Sequence, residues 1–220
     1  MTDAPADLLL PEADLALAWS PRQVRGPLSI ALQFDRRLAR IVARTREAML
    51  GQMRLAWWRE ALEKPVNERP RGNAVLDGLN THWAGREAAL VAIVDAWEVL
   101  VTAERLGPAE ARSFGAGRGA FFAALAGAQA SEAQRGRLTL AGRRWALADA
   151  AAGMSDAGER AVLVAAGRAA GEASGRLPRD LRGLAVLEAL ALRSLARGGT
   201  PLMAGRGAAL AALRAAILRT

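Results

Sequence analysis

From Leu28 to Val42 the apolar residues recur at helical spacing. Leu28, Ala31, Leu32, Leu38, Ile41 and Val42 share one face, interrupted by a single polar residue, Asp35. Apolar residues three and four apart make a stripe on a helix, whereas a strand needs them two apart. Most of the chain repeats this pattern. Ala, Leu, Arg and Glu, all good helix formers, dominate the 220 residues, and β-branched alternation is nearly absent. Connections are short, with no internal repeat or low-complexity linker. One all-α domain over residues 1–220 is expected, with residues 1–18 as a loose lead-in.

Caps and breakers set the expected elements. A first helix begins near Pro21 or Pro27. Thr45 serves as the N-cap of a second, with Glu47 in its first turn. That helix ends before "KPVNERPRGN", whose prolines, Asn and Gly read as a loop. A third runs from about Arg86 and is closed by Gly107 and Pro108. A fourth covers roughly 109–130 and a fifth roughly 139–152. Asp156, with Glu159 three residues on, opens a sixth like a capping box. "LAVLEALALRSLAR" and "RGAALAALRAAILRT" supply two more.

The residue inventory excludes much chemistry. There is no cysteine, so disulfides and thiolate metal sites are ruled out, and His82 is the one histidine. A zinc site needs three or four such ligands, and a serine triad would have only His82 to use. His82, in "NTHWAG", reads as a solvated loop residue. "GAGRGA", Gly115 to Ala120, formally fits G-x-G-x-x-A. That fingerprint holds pyrophosphate only after a strand, and "AEARSF" reads as helix, so close helix packing is the expected use of these glycines.

The formal charge is +8, carried by arginine apart from Lys64. The arginines are scattered, which suits a GC-rich genome as well as an anionic partner, and no nucleic-acid module is visible. The acidic start "MTDAPADLLLPEADLALAW" lacks the basic and apolar regions of a secretory signal, and no apolar run reaches the roughly 18 residues of a span. A cytoplasmic location is expected, with peripheral contact at the inner membrane left open.

"GQMRLAWWREAL" holds adjacent tryptophans, Trp57 and Trp58, which point about 100° apart on a helix. They suit either a helix packed on two sides or an aromatic wall of a pocket. Asp95 and Glu98 lie one turn apart and could share Mg²⁺, or simply be solvated.

Two segments together resemble the N-terminal part of the squalene/phytoene synthase family. In "SPRQVRGPLSIALQFDRRLARI", Pro21, Arg25, Ala31, Leu32, Phe34 and Arg36 keep that family's spacing. The phrase Gly51, Arg54, Leu55, Trp57, Trp58 is similar to the "RL-WW" signature of its divergent branch, which includes respiratory complex I assembly factors. "LPRDLRGLAVLEALALRSLARGG" is similar to the tail of bacterial members. The likeness extends over most of the chain and is specific over residues 19–62.

The resemblance implies an isoprenoid-synthase fold around a central cavity. Active members condense two prenyl diphosphates with Mg²⁺ held by aspartate-rich motifs on facing helices. This chain departs at those motifs: positions 39, 40 and 43 hold Ala39, Arg40 and Ala43, and "ALADAAAGMSDAGE" keeps only Asp149 and Asp156, seven apart. The expectation is therefore a non-catalytic isoprenoid-binding, lipid-binding or assembly-type protein that needs no cofactor. Its ligand-facing candidates are Arg25, Phe34, Arg36, Arg54, Trp57 and Trp58. The alternative is a Mg²⁺-dependent prenyltransferase using Asp35, Asp95, Asp149 or Glu98. A lipid ligand, a membrane surface and a protein partner all stay open, and nucleic acid is not expected.

Overall fold

A computed structural model describes residues 8–45, 47–172 and 175–218. Among the described residues every regular element is helical: α1 (Pro11–Ala18), α2 (Arg22–Arg44), α3 (Ala48–Glu63), α4 (Ala74–His82), α5 (Glu87–Thr102), α6 (Pro108–Arg118), α7 (Ala120–Ala124), α8 (Glu132–Gly153), α9 (Ala157–Arg168), α10 (Arg182–Ala196) and α11 (Gly207–Leu218). The all-α expectation holds. α10 is buried on almost every side from Gly183 to Ala191, which fits a helix touched by α1, α8, α9 and α11. On the other side of the molecule α5 packs against α2, α3, α6 and α7, and α6 joins the two groups by lying on α8.

Several boundaries differ from expectation, each for a local reason. Residues 11–18 are not a loose lead-in. They form α1, which buries Glu12, Ala13 and Ala16 and sits directly on α10. Gly183 makes that approach possible, since a Cβ there would lie 2.4 Å from the Ala16 carbonyl oxygen and 2.2 Å from Ser20 Oγ. Residues 1–7 lie outside the described residues. Thr45 caps the end of α2 rather than the start of α3: its hydroxyl donates to the Ile41 carbonyl at 2.6 Å. Glu47 is the residue before α3 and makes no capping bond. His82 is the last residue of a helix, α4, opened by Asn73, whose side chain accepts from the backbone N–H groups of Val75 and Leu76. The expected cap at Asp156 is present, with Oδ1 accepting from Glu159 N at 2.8 Å.

The expected fourth helix is broken at Gly119 into α6 and α7. Here "GAGRGA" acts as close packing requires. Gly115 lies under Leu147, Gly117 against the Ala92 carbonyl, and Gly119 meets Gly142 of α8 backbone to backbone. A Cβ on Gly119 would sit 2.3 Å from Gly142 C, and one on Gly142 would sit 2.2 Å from Gly119 O. Neither obstacle is a flexible side chain that could step aside. The proline-rich loop after α3 is held by Arg69, which is buried. It donates to the Leu62 and Lys64 carbonyls, Asn80 Oδ1 and Glu87 Oε1, at 2.8–3.0 Å.

Gly119→Ala and Gly142→Ala are each expected to lower stability by about 1–3 kcal/mol or more through forced separation of α6 and α8. Gly136→Ala, at a position with open space around it, should be neutral or slightly stabilising. Urea unfolding of the three variants measures the contrast.

Candidate functional site

The polar interruption at Asp35 points into the interior. Its side chain is 1% exposed and meets Arg118, the last residue of α6, which is also 1% exposed. Arg118 Nε donates to Asp35 Oδ1 at 2.8 Å and Nη2 to Asp35 Oδ2 at 2.7 Å, a bidentate pair. Nη2 also donates to Asp149 Oδ2 at 2.5 Å, and Nη1 to the Ala146 carbonyl at 3.0 Å. Trp97 of α5 adds an indole N–H to Asp35 Oδ1 at 2.8 Å.

Aromatic rings enclose the cation. The guanidinium carbon lies 4.6 Å from the Trp145 ring centroid, 4.9 Å from Trp97 and 5.7 Å from Phe114. Ring faces attract cations and exclude water, which strengthens the ion pairs beneath them. Burial disfavours a charged guanidinium, but the Asp35 and Asp149 charges outweigh it, so the Arg118 pKa is raised above its ordinary value. Arg118 is a permanent cation.

Glu12 of α1 covers this group. It is buried, and with Leu9, Ala13, Leu32, Arg36 and Trp145 it lines the space left beside Asp35, Arg118 and Asp149, a void of only about 20 Å³. Burial pushes the Glu12 carboxyl above the usual carboxylate range. Asp149 pushes the same way, while Glu12's own backbone N–H and the Arg36 charge oppose it.

The other candidates fall elsewhere. Asp95 and Glu98 do share a cation, but it is Arg59 of α3. Arg59 Nε and Nη2 reach Asp95 Oδ1 at 2.9 and 2.6 Å, and Nη2 also bonds Glu98 Oε2. This pair is on the surface, with Asp95 53% exposed. The four acids considered for catalysis thus separate into two pairs, each bridged by an arginine. Among the described residues no three His, Cys, Asp or Glu side chains come together as a metal site.

Arg25 donates to the Leu17 and Ser20 carbonyls and locks the turn between α1 and α2. Phe34 and Trp58 are buried edge-to-face, 5.0 Å between centroids. Trp57 packs edge-on to Trp58 and is 41% exposed. The helix is therefore not packed on two sides at the tryptophan pair: Trp58 lies in the core and Trp57 at the surface beside exposed Met49, Met53 and Arg54.

Sequence reasoning missed Arg118, although one signal was present. Ala111, Phe114 and Arg118 follow the apolar period i, i+3, i+7, so the arginine occupies a core position in its helix. It also missed a second buried ion cluster, where Glu188 of α10, fully buried, accepts from Arg137 Nη1 at 2.9 Å and from Arg144 Nη1 at 2.8 Å. Arg144 and Arg137 also donate to the carbonyls of Gly171 and Gly175.

Comparison with known proteins leaves this geometry to speak for itself: no family model, curated protein or solved structure matches the chain.

Arg118→Met should cost about 3–5 kcal/mol at neutral pH, because it strands two buried carboxylates. Part of that loss should return in acid as the stranded groups take up protons, a reversal visible in chemical unfolding at several pH values. Glu12 has the opposite sign to a salt-bridged acid. Its raised pKa means that the folded chain holds the proton more tightly than the unfolded chain, so stability falls as pH rises from 4.5 through the higher folded value. Glu12→Gln should therefore unfold at a higher temperature than the wild type at neutral pH, and the difference should vanish below about pH 4.

Proposed function

We propose that this is a squalene/phytoene synthase-like protein, with helices arranged as in isoprenoid synthases, that lacks prenyl-condensing chemistry and works by binding, as a lipid-binding or assembly-type protein. The observation that carries the reading is Arg118 between Asp35 and Asp149. Diphosphate ionisation needs carboxylates that gather divalent cations, and those cations must reach the departing group. Here the two converging acids already share a fixed organic cation. A metal ion would have to displace a bidentate guanidinium held under three aromatic rings.

Space points the same way. Ligand pockets are typically about 300–1,000 Å³, and the void beside Asp35 and Asp149 is about 20 Å³. The family part of the proposal is supported by the way its two signature segments meet. Phe34, from the first, packs directly on Trp58, from the second, so the residues that carry the resemblance form one contact between α2 and α3.

The test is incubation with a prenyl diphosphate and Mg²⁺, following both diphosphate release and lipid retained by the protein. No diphosphate release above the protein-free control is expected. Release that Asp35→Asn or Asp149→Asn abolishes would overturn the proposal and establish the prenyltransferase alternative. Retained lipid without release selects lipid binding, and neither selects the assembly role.

A further inference from the structure

α11 is built inside out. Its core-facing residues are Ala208, Ala212, Ala215 and Ala216, whereas Leu210, Leu213, Ile217 and Leu218 face solvent, at 59%, 44%, 59% and 59% exposure. A helix that only had to pack on α10 would be most stable with its large apolar residues turned inward. Burying the leucines would gain far more than burying alanines. The outward leucines and isoleucine lie within one arc of the helix, and Arg214 falls inside that arc.

Charge identifies what would cover this face. From Ala189 to Leu218 the chain carries no Asp or Glu but four arginines, Arg193, Arg197, Arg206 and Arg214. Arg197, Arg206 and Arg214 are exposed. Between α10 and α11 runs a groove of about 470 Å³ lined by Leu192, Arg193, Arg214 and Leu218 with three alanines and no carboxylate. Arg193 Nη1 donates to the Ala204 carbonyl at 2.7 Å, which fixes the guanidinium at the start of α11. The other exposed apolar strip, Met49, Leu50, Met53 and Trp57 on α3, is different, since its charged surroundings are mixed, with exposed Glu47 and Glu60 as well as exposed Arg54.

We infer that α11 lies on the surface of an anionic phospholipid bilayer, with Leu210, Leu213, Ile217 and Leu218 inserted among the acyl chains. Arg193 and Arg214 hold a lipid phosphate at the mouth of the α10–α11 groove. An amphipathic helix with a basic border binds in the interfacial plane through apolar burial and attraction to anionic lipid. An arginine within the apolar arc suits this geometry, because its stem lies along hydrocarbon while the guanidinium reaches back to the phosphates. No helix among the described residues is long and apolar enough to cross a membrane, so the contact is one of lying on the bilayer. The inference stands on α11 and its surroundings and is independent of the acid pair at Arg118. Diphosphate release in the prenyl diphosphate assay would sink the non-catalytic reading without touching it.

The experiment is co-sedimentation of the full chain with vesicles of phosphatidylcholine alone and of phosphatidylcholine mixed with phosphatidylglycerol. Binding to the mixed vesicles is expected to be at least roughly tenfold tighter than to the neutral ones and to weaken as salt is added. Leu213→Ser with Ile217→Ser should lose roughly tenfold or more of that affinity. Arg214→Gln, an exposed change that leaves the fold alone, should lose roughly fivefold. Equal binding to both vesicle types, no binding, or unchanged binding by Arg214→Gln would overturn the inference. A dimer in sedimentation velocity that the serine variant converts to monomer would overturn it too, by assigning this face to a second copy of the chain.

Discussion

Arg118 is bonded at once to α2 through Asp35 and to α8 through Asp149 and the Ala146 carbonyl, and it is roofed by Trp97 of α5. Taking three ions out of water costs several kcal/mol for each. Each close pair returns about 4 kcal/mol at the effective dielectric of a protein interior, and four hydrogen bonds and the ring faces add to that. The balance is near even, so the cluster contributes little net stability. It does select one arrangement, because any slip of α6 along α8 or α2 leaves an unpaired buried charge. Register is what this interaction supplies.

That register depends on glycine. Arg118 reaches Ala146 and Asp149 only because Gly119 and Gly142 touch backbone to backbone and bring the end of α6 onto α8. Gly142, Trp145, Ala146 and Asp149 follow helical spacing, so the contact, the roof of the cation, its carbonyl partner and its second acid all lie on one face of α8. The same economy is seen at Glu188, where one carboxylate holds two arginines from α8. The charges there are reversed: one buried carboxylate near the middle of α10 holds two cations.

The functional reading turns on what neutralises the carboxylates. Two acids facing each other across a helical bundle can serve as half of a metal site. Here a guanidinium lies between them, and the space left beside them under Glu12 and α1 is about 20 Å³. On the surface, the exposed apolar face of α3 has charges of both signs around it, whereas that of α11 has only arginines.

The helical class, the loop at "KPVNERPRGN" and the cap at Asp156 could all be read from the residues, because each depends on neighbours within a few positions. Asp35 was conspicuous as the one polar break in an apolar face, and Trp57 and Trp58 as one ring too many for a single face. Their partners were not legible. Arg118 is 83 residues from Asp35 and looks like any other arginine until α6 is laid on α8. Residues 11–18 read as a lead-in because a short helix that buries alanines and one glutamate has no marked apolar stripe. Sequence alone thus determined that this chain forms helices and where most of the long ones run, but not α1, α4 or the break at Gly119. Only tertiary structure decided that its two interior aspartates face an arginine, because the meaning of a buried charge depends on what is packed against it.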